Sequence, residues 1–190
     1  MPPKVKITKE KIISAAVEIV RENGAEALNA RALAAKLGCS TQPIFSNFSS
    51  MEEICGEVIR SADKIYQSCI KREMEQGDFP PYKASGMAYI RFAKDEKELF
   101  KLLFMRDRTG EETGNGGETM ENAVAVIMKN TGLDYERAYM FHIEMWVYVH
   151  GIATMLATGY LNWDWELISK MLTDAYEGMK KRYMDGKEQK

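Results

Sequence analysis

The sequence predicts an all-α protein of about nine helices, and three observations support this fold class. Apolar residues recur every three or four positions along most of the chain, which is the period of an amphipathic helix. No segment alternates apolar and polar residues convincingly with the period of two expected for a half-buried strand. Residues that favour helix ends, such as Asn29 and Gly38, flank the apolar stripes.

The first two predicted helices are short and lie near the amino terminus. An apolar stripe predicts the first helix, which Gly24 ends: Ile12, Ile13, Ala16, Ile19 and Val20. Asn29 is expected to cap a second helix that ends at Gly38. Four residues of this second helix are expected to point inward: Ala30, Leu33, Ala34 and Leu37.

The third predicted helix is shorter still, and the fourth is long. Ser40 is expected to cap the third helix, which would run to about Asn47, with Pro43 tolerated in its first turn. Ser50 and Glu53 have the spacing of a capping box that starts the fourth helix. The apolar stripe of the fourth helix then consists of Ile54, Val58, Ala62, Ile65 and Cys69.

Five further helices are predicted after Pro81, over residues 82–93, 95–105, 118–131, 134–158 and 164–183. The segment Arg106–Glu118 contains four glycines and no large apolar residue, so it is predicted to be a mobile loop. These patterns divide the chain into an N-terminal helix-turn-helix domain, residues 1–49, and a larger helical domain, residues 50–190.

The charge of the chain is unevenly distributed. Residues 1–48 contain seven Lys or Arg and four Glu, a net charge of +3, whereas the whole chain has a net charge of −2. A basic amino-terminal segment on an acidic protein indicates an anionic partner for that segment.

The segment "GCSTQPIFSNFSSMEE", residues 38–53, places small polar residues beside two phenylalanines. In a helix-turn-helix, the second helix lies in the major groove and its exposed polar side chains meet base edges. Ile44 and Phe48 are therefore expected to pack inward, while the third helix directs polar side chains to DNA: Ser40, Thr41, Gln42, Ser46 and Asn47. Arg31 and an arm with Lys4 and Lys6 are expected to contact phosphates. The spacing alone also permits a plain helical hairpin with a solvated polar face.

Residues 8–59 resemble the DNA-binding domain of TetR-family transcriptional regulators. The similar sequence is "IISAAVEIVRENGAEALNARALAAKLGCSTQPIFSNFSSMEEI", with Gly24 after the first helix, Arg31 in the second and Leu-Gly at the turn. The resemblance implies a homodimer that binds a palindromic double-stranded DNA operator. It also implies that a small-molecule effector in a C-terminal helical ligand-binding and dimerisation domain releases the DNA.

This chain departs from the usual family pattern at three positions. The family usually has tyrosine at the position of Phe45, often histidine at that of Asn47, and lysine at that of Met51, and those residues typically touch phosphates. Phosphate contacts at Phe45 and Met51 are therefore not expected here. These losses also keep a different class of function open, namely a helical protein–protein interaction module that no longer binds DNA.

The larger domain resembles a subclass of TetR ligand domains named for a Trp, a His and a Gly. The segment "MWVYVHGIATML" has Trp146, His150 and Gly151 in the expected order, and "MAYIRFAKDEKELFKLLF" resembles the middle helices of that subclass. An effector pocket is predicted at six residues: Met87, Phe100, Phe104, Met105, Trp146 and His150. A Met and aromatic stripe of this kind is more often simply part of a core.

The last two predicted helices are expected to form the dimer interface. The helix over residues 134–158 is apolar nearly all round, so it must be covered on several sides. The apolar stripe on the last helix is expected to form a four-helix contact between two copies: Trp165, Ile168, Leu172, Ala175 and Met179. A monomer whose last helix folds back on itself is the alternative.

Other function classes have little support in the sequence. Cys39, Cys55 and Cys69 have no paired spacing, and His142 and His150 have no third ligand in register, so no metal or cofactor is expected. No phosphate-binding loop, metalloprotease motif or nucleophile elbow is present, which disfavours an enzyme. The segment Met145–Trp163 has no charged residue, but it contains polar residues and has acidic flanks, so it predicts a buried helix rather than a membrane span. The three cysteines predict reduced thiols in a cytoplasmic protein.

Overall fold

The computed structural model describes residues 7–109 and 117–185, with the side chains of residues 117–119 left out. These residues form nine α-helices and no β-strand, which confirms the all-α prediction. The bounds are α1 Lys9–Asn23, α2 Ala30–Leu37, α3 Gln42–Phe45, α4 Met51–Gln76, α5 Pro81–Asp95, α6 Lys97–Phe104, α7 Gly117–Thr131, α8 Tyr135–Ala157 and α9 Trp165–Asp185. A short 3-10 helix, Ala25–Ala27, follows α1. The predicted loop falls partly on residues 110–116, which lie outside the described residues.

The chain divides into two compact units. Of the described residues, the first unit takes 7–68 and 95–106, which include α1–α3, most of α4, and α6. The second unit takes 69–94 and 107–185, with the last turns of α4 together with α5, α7, α8 and α9. The compact units therefore divide the chain within α4. The predicted domains, 1–49 and 50–190, divide the chain by motif, and that division stays a prediction.

The turn between α2 and α3 is fixed by backbone hydrogen bonds. Gly38 has φ 62°, in the left-handed region that favours glycine. The Gly38 N–H donates to the Ala35 carbonyl at 3.2 Å, and the Cys39 N–H donates to the Ala34 carbonyl at 3.0 Å. This pair of bonds is a Schellman motif, which satisfies the last carbonyls of α2 and sets the direction of the chain into α3.

The helix caps follow the sequence closely at α2 and less closely elsewhere. Asn29 Oδ1 accepts the N–H groups of Arg31 and Ala32 at 3.1 and 3.0 Å, as expected of a capping residue. The prediction that Ser40 caps the third helix was wrong, because Thr41 precedes α3 and makes no side-chain capping bond. Pro43 lies in the first turn of α3, as predicted.

The capping box predicted at the start of α4 is only half formed. Ser50 Oγ accepts the Glu53 N–H at 3.3 Å, as expected. The Glu53 carboxylate instead reaches one residue further back, where it accepts the N–H and the hydroxyl of Ser49, both at 2.7 Å. Ser49 and Ser50 therefore both hold the first turn of α4 in place.

The second unit has its own apolar core. Its central cluster comes from α7, the loop after it and α8: Val124, Ile127, Leu133, Ala138, Phe141 and Met145. Aromatic and methionine side chains from α9, including Tyr176 and Met179, pack on this cluster. Burial of these side chains against one another is the main term that stabilises such a core.

The predicted dimer stripe on the last helix does not face away from the chain. Ile168 is 0% exposed and Leu172 is 3% exposed within a single chain, and Ala175 and Met179 pack against the core cluster. The assignment of Ile168 and Leu172 to a contact between two copies was therefore wrong. An apolar stripe shows that a helix face must be covered, and here the same chain covers it.

A buried ion pair lies in the second unit, where the last turns of α4 meet α5. The Glu73 side chain is 2% exposed, and Arg91 Nε donates to its carboxylate at 3.0 Å. The Arg91 guanidinium also lies 4.4 Å from the ring centre of Trp165, within cation–π distance. Burying a carboxylate this completely is unfavourable unless a charged partner lies beside it.

Every helix in the described part of the chain is too short or too polar to cross a lipid bilayer.

Replacing Arg91 with alanine should destabilise the fold strongly. The change leaves the Glu73 carboxylate buried without its partner, and breaking such a pair costs about 3–5 kcal/mol. Chemical denaturation followed by circular dichroism measures the free energy of unfolding. The double variant Glu73→Leu/Arg91→Met should recover most of the loss, because an apolar pair needs no charge compensation.

The exposed pair Lys71–Glu75 provides the control for this prediction. Lys71 Nζ and Glu75 Oε1 are 3.7 Å apart, and both side chains are largely exposed to solvent. Lys71→Ala should change the free energy of unfolding by less than about 0.5 kcal/mol. Equal effects of Arg91→Ala and Lys71→Ala would show that the burial of Glu73 has no energetic consequence.

Candidate nucleic-acid interface

The single turn of α3 presents one buried face and one exposed face. Ile44 is 0% exposed and Phe48, three residues beyond the helix, is 3% exposed, as predicted. These two side chains anchor α3 in the first unit by burying apolar surface. The exposed face consists of Thr41, Gln42, Phe45 and Ser46, which lie at helical spacing. Ser40, just before α3, is also exposed.

Two of the predicted base-contacting residues form hydrogen bonds within the chain. The Asn47 amide donates to the Pro43 carbonyl at 2.8 Å and to the Ile7 carbonyl at 3.4 Å, and the residue is half-buried. The Asn47 amide therefore satisfies a carbonyl that the end of α3 leaves without a donor, and its contact with DNA stays a prediction. Ser46 is exposed as predicted, but its hydroxyl donates to the Gln42 carbonyl at 2.9 Å.

The cations of the amino-terminal segment differ in what they contact. Arg21 pairs with Glu96 at 2.7 Å, and Lys36 pairs with both Glu18 and Glu22. Hydrogen bonding to Glu22 raises the pKa of Lys36. These lysine and arginine charges are compensated within the first unit.

Of the three residues predicted to contact phosphates, Arg31 lies within the described residues. It is exposed at the start of α2, and among residues 7–109 and 117–185 no carboxylate pairs with it. Lys11 on α1 is likewise exposed and pairs with no carboxylate among these residues. Lys4 and Lys6, the predicted arm, lie outside the described residues.

The six residues predicted to bound an effector pocket fall into both compact units. Met87, Trp146 and His150 belong to the second unit, whereas Phe100, Phe104 and Met105 belong to the first. Trp146 stacks on His150 with ring centres 5.6 Å apart. Phe100 and Phe104 contact each other at 5.2 Å. Met87 and Phe100 are almost wholly buried, while Trp146 and Met105 are exposed, and an effector site at the six residues stays a prediction.

Two tyrosine–histidine hydrogen bonds join α5 to α8. The Tyr82 hydroxyl lies 2.9 Å from His142 Nδ1, and the Tyr89 hydroxyl lies 2.8 Å from His150 Nδ1. Burial raises the pKa of Tyr82, so its hydroxyl stays protonated beside His142. Burial likewise lowers the pKa of both histidines. His150 is thus a half-buried, hydrogen-bonded residue that helps to position α8.

Two surface cavities lie elsewhere. One of about 350 Å³ lies in the second unit and is lined by Arg137, Glu144, Arg182 and Tyr183. The other, of about 430 Å³, lies in the first unit between α1 and α4 and is lined by Glu10, Ile13, Ser14, Val17, Glu18, Arg21, Ser61 and Ile65. Neither cavity includes any of the six predicted effector residues. Within the described ranges, no group of three His, Cys, Asp or Glu side chains converges on a metal site.

The first compact unit contains a helix-turn-helix whose second helix, α3, has an exposed face, and the second compact unit is helical. Two family models match the chain. Residues 12–58 match the family model for bacterial regulatory proteins of the tetR family, and residues 82–175 match the model of a tetracyclin repressor-like C-terminal domain. Together the two matches cover well over half of the chain, which therefore belongs to the TetR family of transcriptional regulators.

Individual relatives agree with this assignment. An uncharacterised HTH-type transcriptional regulator of Mycobacterium tuberculosis is 23% identical over 160 residues, which cover 83% of this chain and 73% of the relative. A solved TetR-like transcriptional regulator from Rhodococcus sp. RHA1 has a TM-score of 0.61 at 13% identity, with full coverage of both chains.

Two further solved structures share the fold. A protein of unknown function from the same Rhodococcus has a TM-score of 0.73 at 18% identity, covering 95% of this chain and 98% of its own. A TetR-family member from Streptomyces coelicolor A3 has a TM-score of 0.60 at 16% identity, covering 88% and 96%. The resemblance to the Trp-His-Gly subclass stays a prediction.

Roles for Tyr82 and Tyr89 and the exposure of Phe45 were not predicted from the sequence. The two tyrosines are seven residues apart and the two histidines eight apart, so each pair recurs after two helical turns. That spacing was a usable signal. The spacing of four residues between Thr41 and Phe45 likewise places Phe45 on the exposed face of α3.

Acid should destabilise the fold through His142 and His150. Burial lowers the pKa of each below the ordinary value of 6.5, so the unfolded chain binds protons where the folded chain does not. The free energy of unfolding should therefore be highest above pH 6.5 and fall as the pH is lowered through that value. Urea unfolding between pH 7.5 and 5.5 measures this slope while most carboxylates stay ionised above about pH 5.

The double variant His142→Gln/His150→Gln is the control for this experiment, because glutamine does not titrate. Its free energy of unfolding should vary less with pH over the same interval, whatever its absolute stability. Equal slopes for the two proteins would show that the histidines are not responsible.

Proposed function

We propose that this protein is a homodimeric transcriptional repressor that binds an inverted-repeat operator and is released by a small, largely apolar effector. The observation that carries the proposal is the exposed face of α3, which presents Thr41 and Gln42 from a helix-turn-helix whose turn is fixed at Gly38. The second helix of such a motif enters the major groove, where hydroxyl and amide side chains pair with base edges.

Arg31 supports the same proposal. It is exposed near the start of α2, in the first unit, and is not paired with a carboxylate in the described part of the chain. An exposed cation without a carboxylate partner is available to bind a DNA phosphate. Such a contact increases affinity because it releases counterions condensed on the DNA. Lys4, Lys6 and Ser40 are proposed to add to this backbone contact.

Release by an effector would be a population shift between two conformations. An effector moves the equilibrium only by its difference in affinity for the two conformations. In our proposal it favours the conformation in which the two α3 helices no longer match successive major grooves, about 34 Å apart. Because α4 contributes residues to both compact units, it is the element proposed to couple effector binding to operator release.

The effector site is proposed near Trp146 and His150, within the second unit. The half-exposed Trp146 ring offers an apolar surface, and the stacked His150 offers a polar group beside it. Met87 in the same unit is 1% exposed, so an effector reaching it would need side chains to move aside. Methionine adapts well to such rearrangements.

A dimer is supported by the outward face of α8. Three large apolar side chains recur along it and are 38–59% exposed: Met140, Val147 and Met155. Gly151 lies on the same face, and a Cβ added there would meet nothing within 4 Å. A glycine inside a helix costs about 1 kcal/mol relative to alanine. Close approach by a second copy would give that glycine a role that its own chain does not.

The proposal is tested first by selecting random duplexes with the purified full-length chain at low salt and sequencing the bound pool. Enrichment of an inverted repeat supports a dimeric operator-binding protein. A folded protein that enriches no sequence would favour the alternative, a protein–protein interaction module. That alternative gains some support from Asn47 and Ser46, whose side chains bond to the chain's own backbone.

Arg31→Ala should weaken binding to the selected operator and to unrelated duplexes by similar factors. The plot of log affinity against log salt should become shallower by about one unit, because one phosphate contact is lost. Fluorescence anisotropy at several salt concentrations measures both quantities.

Lys36→Ala removes the same charge from the same helix and serves as the matched control. Lys36 is already paired with Glu18 and Glu22, so the salt dependence should change less than in Arg31→Ala. The role of Arg31 would be contradicted if the two variants had the same salt dependence.

Val147→Glu should convert the dimer into a monomer. Val147 is 59% exposed in the single chain, so a carboxylate there is solvated in the monomer, but two copies would bury and repel it at a symmetric contact. Sedimentation velocity gives the oligomeric state, and circular dichroism confirms unchanged helix content. Gln67→Glu, at an exposed position of α4, should leave the oligomeric state unchanged. A Val147→Glu protein that remains dimeric would place the interface elsewhere.

We place the protein in the cytoplasm, where a regulator meets DNA, and we assign it no catalytic activity. The family match to transcriptional regulators supports both proposals.

A further inference from the structure

The largest exposed side chain on α3 is the apolar ring of Phe45. The ring is 46% exposed, whereas the neighbouring Ile44 is 0% exposed and anchors the helix. Phe45 lies four residues after Thr41 and three after Gln42, so all three share the outward face of the turn. Any duplex that meets Gln42 in the major groove therefore also meets the Phe45 ring.

A phenyl ring is limited in what it can recognise on DNA. It has no hydrogen-bond donor, so it gains nothing from a phosphate oxygen. In the major groove, every base edge presents hydrogen-bonding groups. Thymine differs because it also presents an apolar 5-methyl group. The favourable base contact for an exposed phenyl ring in that groove is therefore apolar.

Two polar side chains near Phe45 use their hydrogen-bond donors within the chain. Ser46 donates its hydroxyl to the Gln42 carbonyl, and Asn47 donates its amide to the Pro43 and Ile7 carbonyls. These donors are therefore engaged within the chain. Thr41 and Gln42 remain as polar contacts on the outward face, and Phe45 covers the adjoining surface.

We propose that Phe45 contacts the 5-methyl group of a thymine in the major groove and thereby selects a T·A pair at one position of each operator half-site. The inference rests on the proposed operator binding and specifies one part of its sequence preference. It makes Phe45 a specificity-determining residue, in a position where a hydroxyl for phosphate contact is absent.

The first experiment compares operator selection by the full-length chain and by Phe45→Ala. The unmodified protein should enrich thymine at one or more symmetry-related positions, and Phe45→Ala should lose that preference while keeping the rest of the inverted repeat. Because Phe45 is half-exposed, its replacement leaves the buried anchors Ile44 and Phe48 in place. Phe45→Leu, which keeps an apolar side chain, should retain part of the preference.

The second experiment removes only the methyl group and needs no protein variant. Deoxyuridine replaces thymidine, one position per half-site at a time, without changing base pairing. At the contacted position, affinity should fall by about fourfold per half-site, which corresponds to losing the burial of one methyl group. Phe45→Ala should bind the two duplexes equally, so that the effects of ring and methyl removal are coupled.

The outcomes separate this inference from the proposed function. Selective operator binding that is insensitive to deoxyuridine at every thymine would overturn the role of Phe45 and leave operator binding intact. A deoxyuridine effect of the same size in Phe45→Ala would assign the methyl contact to another residue. A uniform loss of affinity in Phe45→Ala on all sequences would show a backbone contact instead. Absence of any selective duplex binding would overturn the proposed function, and this inference with it.

Discussion

The proposed DNA-binding surface depends on how a helix of one turn is held in place. A four-residue helix has no stability of its own, because forming its first hydrogen-bonded turn orders several residues for very few bonds. Burial of Ile44 and Phe48 stabilises α3 on its inward face. The left-handed backbone conformation of Gly38 sets the direction in which α3 starts. The Asn47 amide bonds the carbonyl of Pro43 near its end. Thr41, Gln42 and Phe45 are presented outward only because these local constraints hold.

The same need for hydrogen-bond donors explains why the polar composition of this segment overstates its capacity to recognise bases. Short helices have as many unpaired terminal carbonyls as long ones, and nearby Ser and Asn side chains are well suited to bond them. Ser46 and Asn47 do this here. A polar residue in a recognition helix therefore has two possible partners, and only its geometry distinguishes them.

Much of the fold could be predicted from the sequence, because helix periodicity and capping are local properties. The nine helices of the described residues were located within a few residues, and Asn29 and Gly38 mark α2 correctly. The start of α3 was missed because Ser40 and Thr41 are both plausible caps and a helix this short has no periodicity. The hydrogen bond from Asn47 to Ile7 joins residues forty positions apart, beyond what local patterns record.

The candidate site was less predictable because its properties depend on which surfaces are covered. An apolar stripe at Ile168 and Leu172 shows only that something covers it, and the stripe proved to be part of the chain's own core. The exposure of Phe45 and the pairing of Lys36 likewise depend on neighbours from other helices. Residue types could therefore be matched to a DNA-binding role, whereas their availability to a partner required the structure.

The buried carboxylate of Glu73 also constrains the order in which the chain can fold. Taking this group out of water is unfavourable until Arg91 is beside it, so the end of α4 cannot dock stably before α5 does. The two residues are only eighteen positions apart, and contacts so close in sequence form with little loss of chain entropy. Docking of these two helices is therefore expected to be a single cooperative step.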